Sequence, residues 1–431
     1  MQYQIKLSKR MNNALTTLST TYWRYVLTKM YVPTYVLGAG VDLAPEKVLF
    51  SGARPRASYK CNPKCTYLAE CTSCDPTLTM AMASPHVLKI AVSGAAGNIG
   101  YALLPLLANG HVFGRRSVEL RLLEITQALP SLEGTRMELL DCAFPSLAAV
   151  TCTADPLVAF ADADVIVLVG GAPRKKGMAR KDLIQKNTSI FVAMGRAIGA
   201  VAAPTCKVLV VANPANTNCL VALSEATRGV GAARALPARN FVALTFLDHQ
   251  RARGHVARRL AVPVTEIRNV TVWGNHSETQ FPDVLTDGSR RGQDGEWTPL
   301  ASALGEDAGT TWATTDLVAA VQQRGKAVIA ARGSSSALSA AAATAECLRV
   351  WLVAGTAAGE TVSMAVHNDK GYYGVREGLV FSFPCECRDG EWRVKEGLSL
   401  SSFAQRQLKI TEAELLEERE AAWELVAATS S

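Results

Sequence analysis

Six histidines occur in the 431-residue sequence, and one of them, His276, stands in "VTVWGNHSETQFPDV" (270–284), between a β-branched apolar run and a polar loop. Alone, such a residue could be a proton acceptor, a metal ligand or a plain loop residue, so its chemistry depends on partners. "FLDHQRARG" puts Asp248 and Arg251 three residues apart, on one face at the start of a helix. "GGAPRKKGMARKDL" (170–183) is a glycine- and arginine-rich loop after a predicted strand, with Arg174 and Arg180 six residues apart. Hydride transfer at a 2-keto acid calls for four groups. They are an imidazole, a carboxylate to orient and charge it, a cation to polarise the carbonyl, and a cation to grip the substrate carboxylate. His276, Asp248, Arg180 and Arg251 fill these roles, with Arg174 left over for a second carboxylate. His249 competes with His276, but it adjoins Asp248, and neighbouring helix positions point away from each other.

Such chemistry needs a hydride carrier, and "GAAGNIG" offers a place for one. Gly94, Gly97 and Gly100 follow directly on a predicted strand and open a helix, with Asn98 and Ile99 in the same turn. A strand-to-helix turn of this kind aims backbone N–H groups and the positive helix end at a diphosphate, and the glycines allow close approach. The spacing is G-x-x-G-x-x-G, a variant of the commoner fingerprint, and no G-K-[ST] is present, which excludes a P-loop. Glu124 ends the next predicted strand, where an acid accepts hydrogen bonds from both ribose hydroxyls of NAD and repels the 2′-phosphate of NADP. Asn213, in "VANPAN", ends a further strand at the same edge of the sheet. NAD is the expected cofactor and no metal is expected.

The elements that must position these groups are regular from residue 87 onward. Predicted strands at 87–93, 118–125, 163–171 and 207–214 alternate with helices, one including 132–142 and another crossing 180–200. That alternation implies an α/β fold with a Rossmann-type doubly wound parallel sheet. After about residue 245 the texture changes. The helix-like "DHQRARGHVARRLA" precedes "IRNVTVWGN", and an Ala-rich amphipathic helix pair spans roughly 316–354. Strand-like "TVSMAV", "LVFSFPCEC" and "EWRV" follow, and "TEAELLEEREAAWELVAA" closes the chain as a helix with Thr411 as its N-cap. This half is expected to be an α+β catalytic domain. The division implied is 1–82 as an extension, 83–244 as the dinucleotide-binding domain and 245–431 as the catalytic domain.

Composition narrows the classes of function. Hydrophobic residues make up 48% and charged residues 19%, as in a folded globular protein. No apolar run reaches the ~18–20 residues of a membrane-spanning helix. The net charge of +7 is concentrated in residues 1–82, where ten Lys/Arg stand against four acids. The remaining +1 gives no electrostatic case for nucleic acid. Of eleven cysteines, four lie at 61, 65, 71 and 74, spaced C-x₃-C-x₅-C-x₂-C. Zinc could be imagined there, but the spacing leaves little chain for a folded knuckle. The other seven are scattered, several in apolar surroundings, and read as buried free thiols of a reducing compartment.

Over residues 87–427 the chain resembles the malate dehydrogenases of the lactate/malate dehydrogenase family, most closely their cytosolic and chloroplast-type branch. The carrying motifs, in order, are "GAAGNIGYALL", "LEGTRMELLDC", "LVGGAPRKKGMARKDLIQKN", "VVANPANTNCL", "LDHQRA", "VTVWGNHSETQFPD" and "VQQRGKAVIAARGSSSALSAA". The resemblance implies that His276 accepts the proton in malate oxidation and that Asp248 orients it. It implies Arg251 on the C1 carboxylate, Arg180 on the C2 oxygen and Arg174 on the distal carboxylate. Asn187 and Asn213 match nucleotide- or substrate-contacting positions, and Ser336 is expected in the helix lining the substrate pocket. It further implies malate and oxaloacetate as substrates, a homodimer and a cytoplasmic location. The family usually reads "LTRLDHNRA" or "LTRLDENRA" where this chain has Phe246 and Gln250, and the cytosolic form has aspartate where this chain has Glu124. These departures keep open a paralogue with another 2-hydroxy acid or NADP, or an inactive nucleotide-binding scaffold. Residues 1–82 match nothing in the family. They are expected to be disordered, to be translation upstream of a native start at Met80 or Met82, or to target the chain to an organelle such as the mitochondrion.

Overall fold

The computed structural model describes residues 86–172, 180–228 and 236–428. The cysteines at 61–74 and Arg174 lie outside these, and of Arg180 only the backbone is described.

Six short strands build the first part of the main sheet. β1 (Leu88–Ser93), β2 (Val118–Leu123), β3 (Leu147–Thr153), β4 (Val165–Leu168), β5 (Lys207–Val210) and β6 (Phe241–Ala243) lie in the order β3-β2-β1-β4-β5-β6. Every pairing among them is parallel. β4 is "VIVL" with all four side chains buried, as a parallel strand covered on both faces requires. The connecting helices are α1 (Asn98–Ala108), α2 (Leu129–Asp141), α3 (Pro156–Phe160), α4 (Arg180–Val201) and α5 (Ala215–Thr227). The chain winds outward from β1 to β3 and then crosses back to β4. The carboxyl ends of β1 and β4 therefore flank a topological switch point, where open α/β sheets take their ligands.

The second half begins with α6 (Phe246–Leu260), β7 (Ile267–Arg268), β8 (Thr271–Trp273), β9 (Phe281–Asp283), β10 (Ser289–Arg291) and β11 (Trp297–Pro299). Helices α7 (Leu300–Leu304), α8 (Asp307–Thr314), α9 (Asp316–Gln322), α10 (Arg324–Arg332) and α11 (Leu338–Arg349) follow. The chain ends with β12 (Val362–His367), β13 (Val380–Arg388), β14 (Glu391–Val394) and the long α12 (Ser402–Ala428). β7, β10 and β11 form one small sheet and β8 with β9 another. β12 to β14 form no sheet of their own. β12 pairs antiparallel with β6, and the order continues to β13 and β14, giving a nine-stranded, mostly parallel sheet. One apolar core runs under both halves, with Ile90, Leu103, Val242, Trp273, Trp351 and Phe381 in the same buried cluster.

Several local expectations change. The Ala-rich pair is three helices, α9 to α11, because Gly333 at φ 71 ends α10 before α11 starts. The final helix begins at Ser402, so Thr411 is no N-cap: it lies buried within α12. β3 is an addition to the strands expected: "LAAVTCT" is an edge strand in which no position is fully buried. All seven cysteines of the described residues are free, but Cys142 is exposed and Cys152 only half-buried. Among the described residues no helix is long and apolar enough to cross a membrane.

Candidate active site

Two loops meet at the switch point. Gly94 leaves β1 at φ +67, and a Cβ there would lie 2.5 Å from Gly170 Cα at the end of β4, so the approach requires glycine. A Cβ on Gly100 would lie 2.5 Å from Gly94 O, which seats α1 tightly on the turn. Gly97 caps α1 in extended conformation and contributes no side chain to its first amides. The helix end, with Asn98 and Ile99 in its first turn, is thus a cradle of N–H groups and positive dipole that fits a diphosphate. Glu124 follows β2, and its carboxylate accepts from Ala96 N (3.2 Å) and Ile125 N (3.0 Å), placing the acid against the glycine turn. Asn187, fully buried in α4, accepts from Ala172 N (2.8 Å) and donates to Asn213 O (3.0 Å). It ties the loops after β4 and β5 together, and Asn213 itself is exposed.

The His276–Asp248 pair is assembled from α6 and the loop after β8. Phe246 and Leu247 are buried and anchor the helix, and Asp248 next to them is 0% exposed. Its Oδ2 accepts from His276 Nδ1–H, and its Oδ1 accepts from Arg251 Nη1 at 3.0 Å. His276 keeps 19% side-chain exposure and Arg251 13%, so both remain partly exposed around one buried carboxylate. Arg251 Nη2 lies 3.4 Å from Ser336 Oγ. Ser336 is not in the helix, as expected from the resemblance, but in the loop before it, because α11 starts only at Leu338. Asn216 fixes the backbone of the histidine: its Oδ1 accepts His276 N–H (3.0 Å), and its Nδ2 donates to Gly274 O (3.2 Å) and Val380 O (2.9 Å). Sequence reasoning passed over Asn216, whose only signal was a second asparagine three residues after Asn213. The two half-sites adjoin, since Ile99 packs against Leu247, Ala340 and Ala343.

Burial alone would push the Asp248 carboxyl up, but the His276 and Arg251 charges and hydrogen bonds hold it below the ordinary value. It is an anion at neutral pH. His249, the competitor, is fully enclosed and bonds to Ser363 Oγ on β12 at 3.1 Å. Burial pushes its imidazole down to about 3, so it stays neutral. Among the described residues no cluster of His, Cys, Asp or Glu could hold a metal ion. The structure thus brings His276, Asp248, Arg251 and Ser336 together beside Gly94, Gly97, Asn98, Ile99, Gly100 and Glu124.

Residues 88–230 match the NAD binding domain of lactate/malate dehydrogenase, and residues 245–426 match the alpha/beta C-terminal domain of the same family. The chain belongs to the lactate/malate dehydrogenase family. As a member it is an oxidoreductase, and the resemblance and fold class read from the sequence hold. The cytoplasmic malate dehydrogenase of Medicago sativa is 46% identical over 335 residues, covering 77% of this chain and 96% of that protein. That of Zea mays is 45% identical over 78% of this chain and 97% of its own length. Among solved structures, Trichomonas vaginalis lactate dehydrogenase in complex with NADH and oxamate is 37% identical with a TM-score of 0.73, over 79% of this chain and all of that one. Malate dehydrogenase from Naegleria fowleri is 38% identical with a TM-score of 0.72, over 79% and 99%.

Proposed function

We propose that the chain is a NAD-dependent malate dehydrogenase, interconverting malate and oxaloacetate. The observation that carries this is the buried carboxylate of Asp248, bonded at once to His276 and Arg251, in a chain 46% identical to a named malate dehydrogenase. Bound NAD supplies the hydride acceptor for C2 of malate. His276 has its Nδ1–H committed to Asp248, which leaves Nε2 bare to take the C2 hydroxyl proton. Asp248, held anionic, balances the imidazolium that forms. Arg251, steadied by Asp248 and Ser336, holds the C1 carboxylate with its remaining donors. Arg180, at the head of α4, polarises the C2 oxygen, and Arg174 takes the distal carboxylate. The turn from Gly94 to Gly100 receives the diphosphate, Glu124 the ribose hydroxyls, and Asn213 borders nucleotide and substrate with Asn187 holding its loop.

Residues 83–244 act as the nucleotide half and 245–431 as the catalytic and dimerising half of a homodimer. The cytoplasm is the proposed compartment, in line with relatives named cytoplasmic. A mitochondrial destination is the alternative should residues 1–82 serve as a transit segment. A lactate-type substrate has one observation in its favour, the 37% identity to the Trichomonas enzyme. The test is the initial rate of NADH oxidation by the purified full-length chain with oxaloacetate, run beside pyruvate and beside NADPH. Fast turnover with oxaloacetate and NADH alone is expected. Turnover with pyruvate instead would move the proposal to lactate, and measurable NADH binding without turnover would refute the enzyme.

A further inference from the structure

We propose that Glu414 and Glu418, on the terminal helix α12, are positioning residues that hold the His276 loop in register with Asp248. The proposal rests on the malate dehydrogenase function proposed for the same site. The loop from 275 to 280 belongs to no helix or strand, yet it must present His276 to a buried carboxylate. It is held by α12. Thr411, Glu414 and Glu418 are spaced i, i+3, i+7 and so form one stripe along that helix.

Gly274, at φ +91, enters the loop pressed against Thr411, where a Cβ would lie 2.2 Å from that side chain. Thr411 Oγ1 accepts Asn275 N–H at 2.8 Å. The Asn275 amide then donates to both acids, to Glu418 Oε1 at 2.7 Å and Glu414 Oε2 at 3.0 Å. Glu414 Oε2 also takes the hydroxyls of Ser277 and Thr279. Glu418 is 3% exposed, and its second oxygen takes the hydroxyl of Thr217 on α5. Thr217 adjoins Asn216, which binds His276 N–H itself. The residues on each side of His276 are therefore anchored to α12, while His276 is anchored to α5, and Glu418 joins the two helices. The Asn275 side-chain amide and the hydroxyls of Ser277, Thr279 and Thr217 all meet acceptor-only carboxylates, which a hydrocarbon side chain cannot replace. None of these side chains touches Asp248 or Arg251 through a hydrogen bond, so their influence on proton transfer passes through the loop. Displacing a reacting group by about 1 Å can cost roughly a hundredfold in rate.

The test compares Glu414→Ala, Glu418→Ala, Glu414→Gln and Glu418→Gln in the full-length chain. The readouts are kcat per NADH-binding site, KM for oxaloacetate, NADH affinity by fluorescence and thermal melting. The alanine variants are expected to lose about tenfold to a hundredfold in kcat per NADH-binding site, with KM changed by less than about threefold. The glutamine variants keep an acceptor oxygen, and the facing hydroxyls can turn to meet the new amide. They are expected to retain kcat within about threefold of wild type. A merely structural role would lower the melting temperature and the number of NADH sites, and leave kcat per site unmoved. That result overturns the proposal, as does a glutamine variant that falls as far as its alanine partner. A wild-type chain inactive with oxaloacetate and NADH overturns the malate dehydrogenase function and this proposal together. An active wild type with unaffected alanine variants overturns this proposal alone.

Discussion

Replacing Asp248 with asparagine keeps the shape of the side chain and removes the charge between His276 and Arg251. The outcome is set by which group each oxygen faces. Arg251 Nη1, 3.0 Å from Oδ1, can only donate, so the carbonyl of the new amide turns toward it and the NH₂ turns toward His276 Nδ1. Nδ1 then becomes an acceptor, the ring proton moves to Nε2, and the nitrogen that should take the malate proton is already occupied. Flipping the amide restores the tautomer but sets two donors face to face at Arg251. A charge-assisted hydrogen bond contributes about 1.5–3 kcal/mol, and the mis-faced donor costs about 1–3 kcal/mol more. At ~1.4 kcal/mol per decade, the combined loss corresponds to roughly 10²–10⁴ in rate. The assay is kcat for malate oxidation and oxaloacetate reduction per NADH-binding site, with NADH affinity expected to stay unchanged. A loss of less than about tenfold in a folded, NADH-binding Asp248→Asn variant would show that the carboxylate does not govern the histidine.

Three further outcomes are expected. Gly94→Ala places a methyl 2.5 Å from Gly170 at a positive φ, which costs about 1–3 kcal/mol and shifts the turn; NADH titration should show affinity weakened by about tenfold or more. His249→Gln should retain activity and flatten the acid limb of the stability curve. The native His249 titrates only near about 3, against an unfolded value of 6.5, so between those values the unfolded chain binds a proton that the native one refuses. Native stability therefore falls as the pH drops through that window, and melting temperature against pH for wild type and variant checks the difference. Arg174→Gln should lower the preference for oxaloacetate over pyruvate by ~2–4 kcal/mol, read as the ratio of kcat/KM values, because the distal carboxylate loses its partner.

The nucleotide half was largely legible because its signals are local. "GAAGNIG" follows a buried strand, β1, β4 and β5 are short, mainly apolar runs, and β2 alternates apolar with charged residues. β3 escaped because an edge strand need not alternate cleanly between a buried and an exposed face, and its "LAAVTCT" shows only half-buried or exposed positions. The pairing of Asp248 with Arg251 was readable from helix spacing, and its link to His276 came from chemical role and resemblance. Asn216 and Thr411 were illegible for another reason: their partners lie far off in sequence, and an asparagine or threonine carries no periodic signal of such a contact. The start of α12 was misjudged by taking Thr411 as a cap, although "SFAQRQLKI" continues the helix upstream. The attachment of β12 to β6 was likewise beyond local pattern, since strand partners are chosen by the whole sheet.

That attachment bears on how the protein is made. β6 is complete by Ala243, but the strand that covers its outer edge supplies Ala365 to pair with it. At ~5–20 residues per second, a ribosome needs several seconds or more to deliver that partner. Throughout that interval the emerging nucleotide half carries a bare edge on "FVA", a row of unpaired amides and carbonyls on an apolar strand. A message truncated between residues 244 and 361 would release a chain whose sheet stays open at β6. An open, apolar strand edge of this kind is a template for edge-to-edge aggregation, which the pairing of β12 with β6 removes.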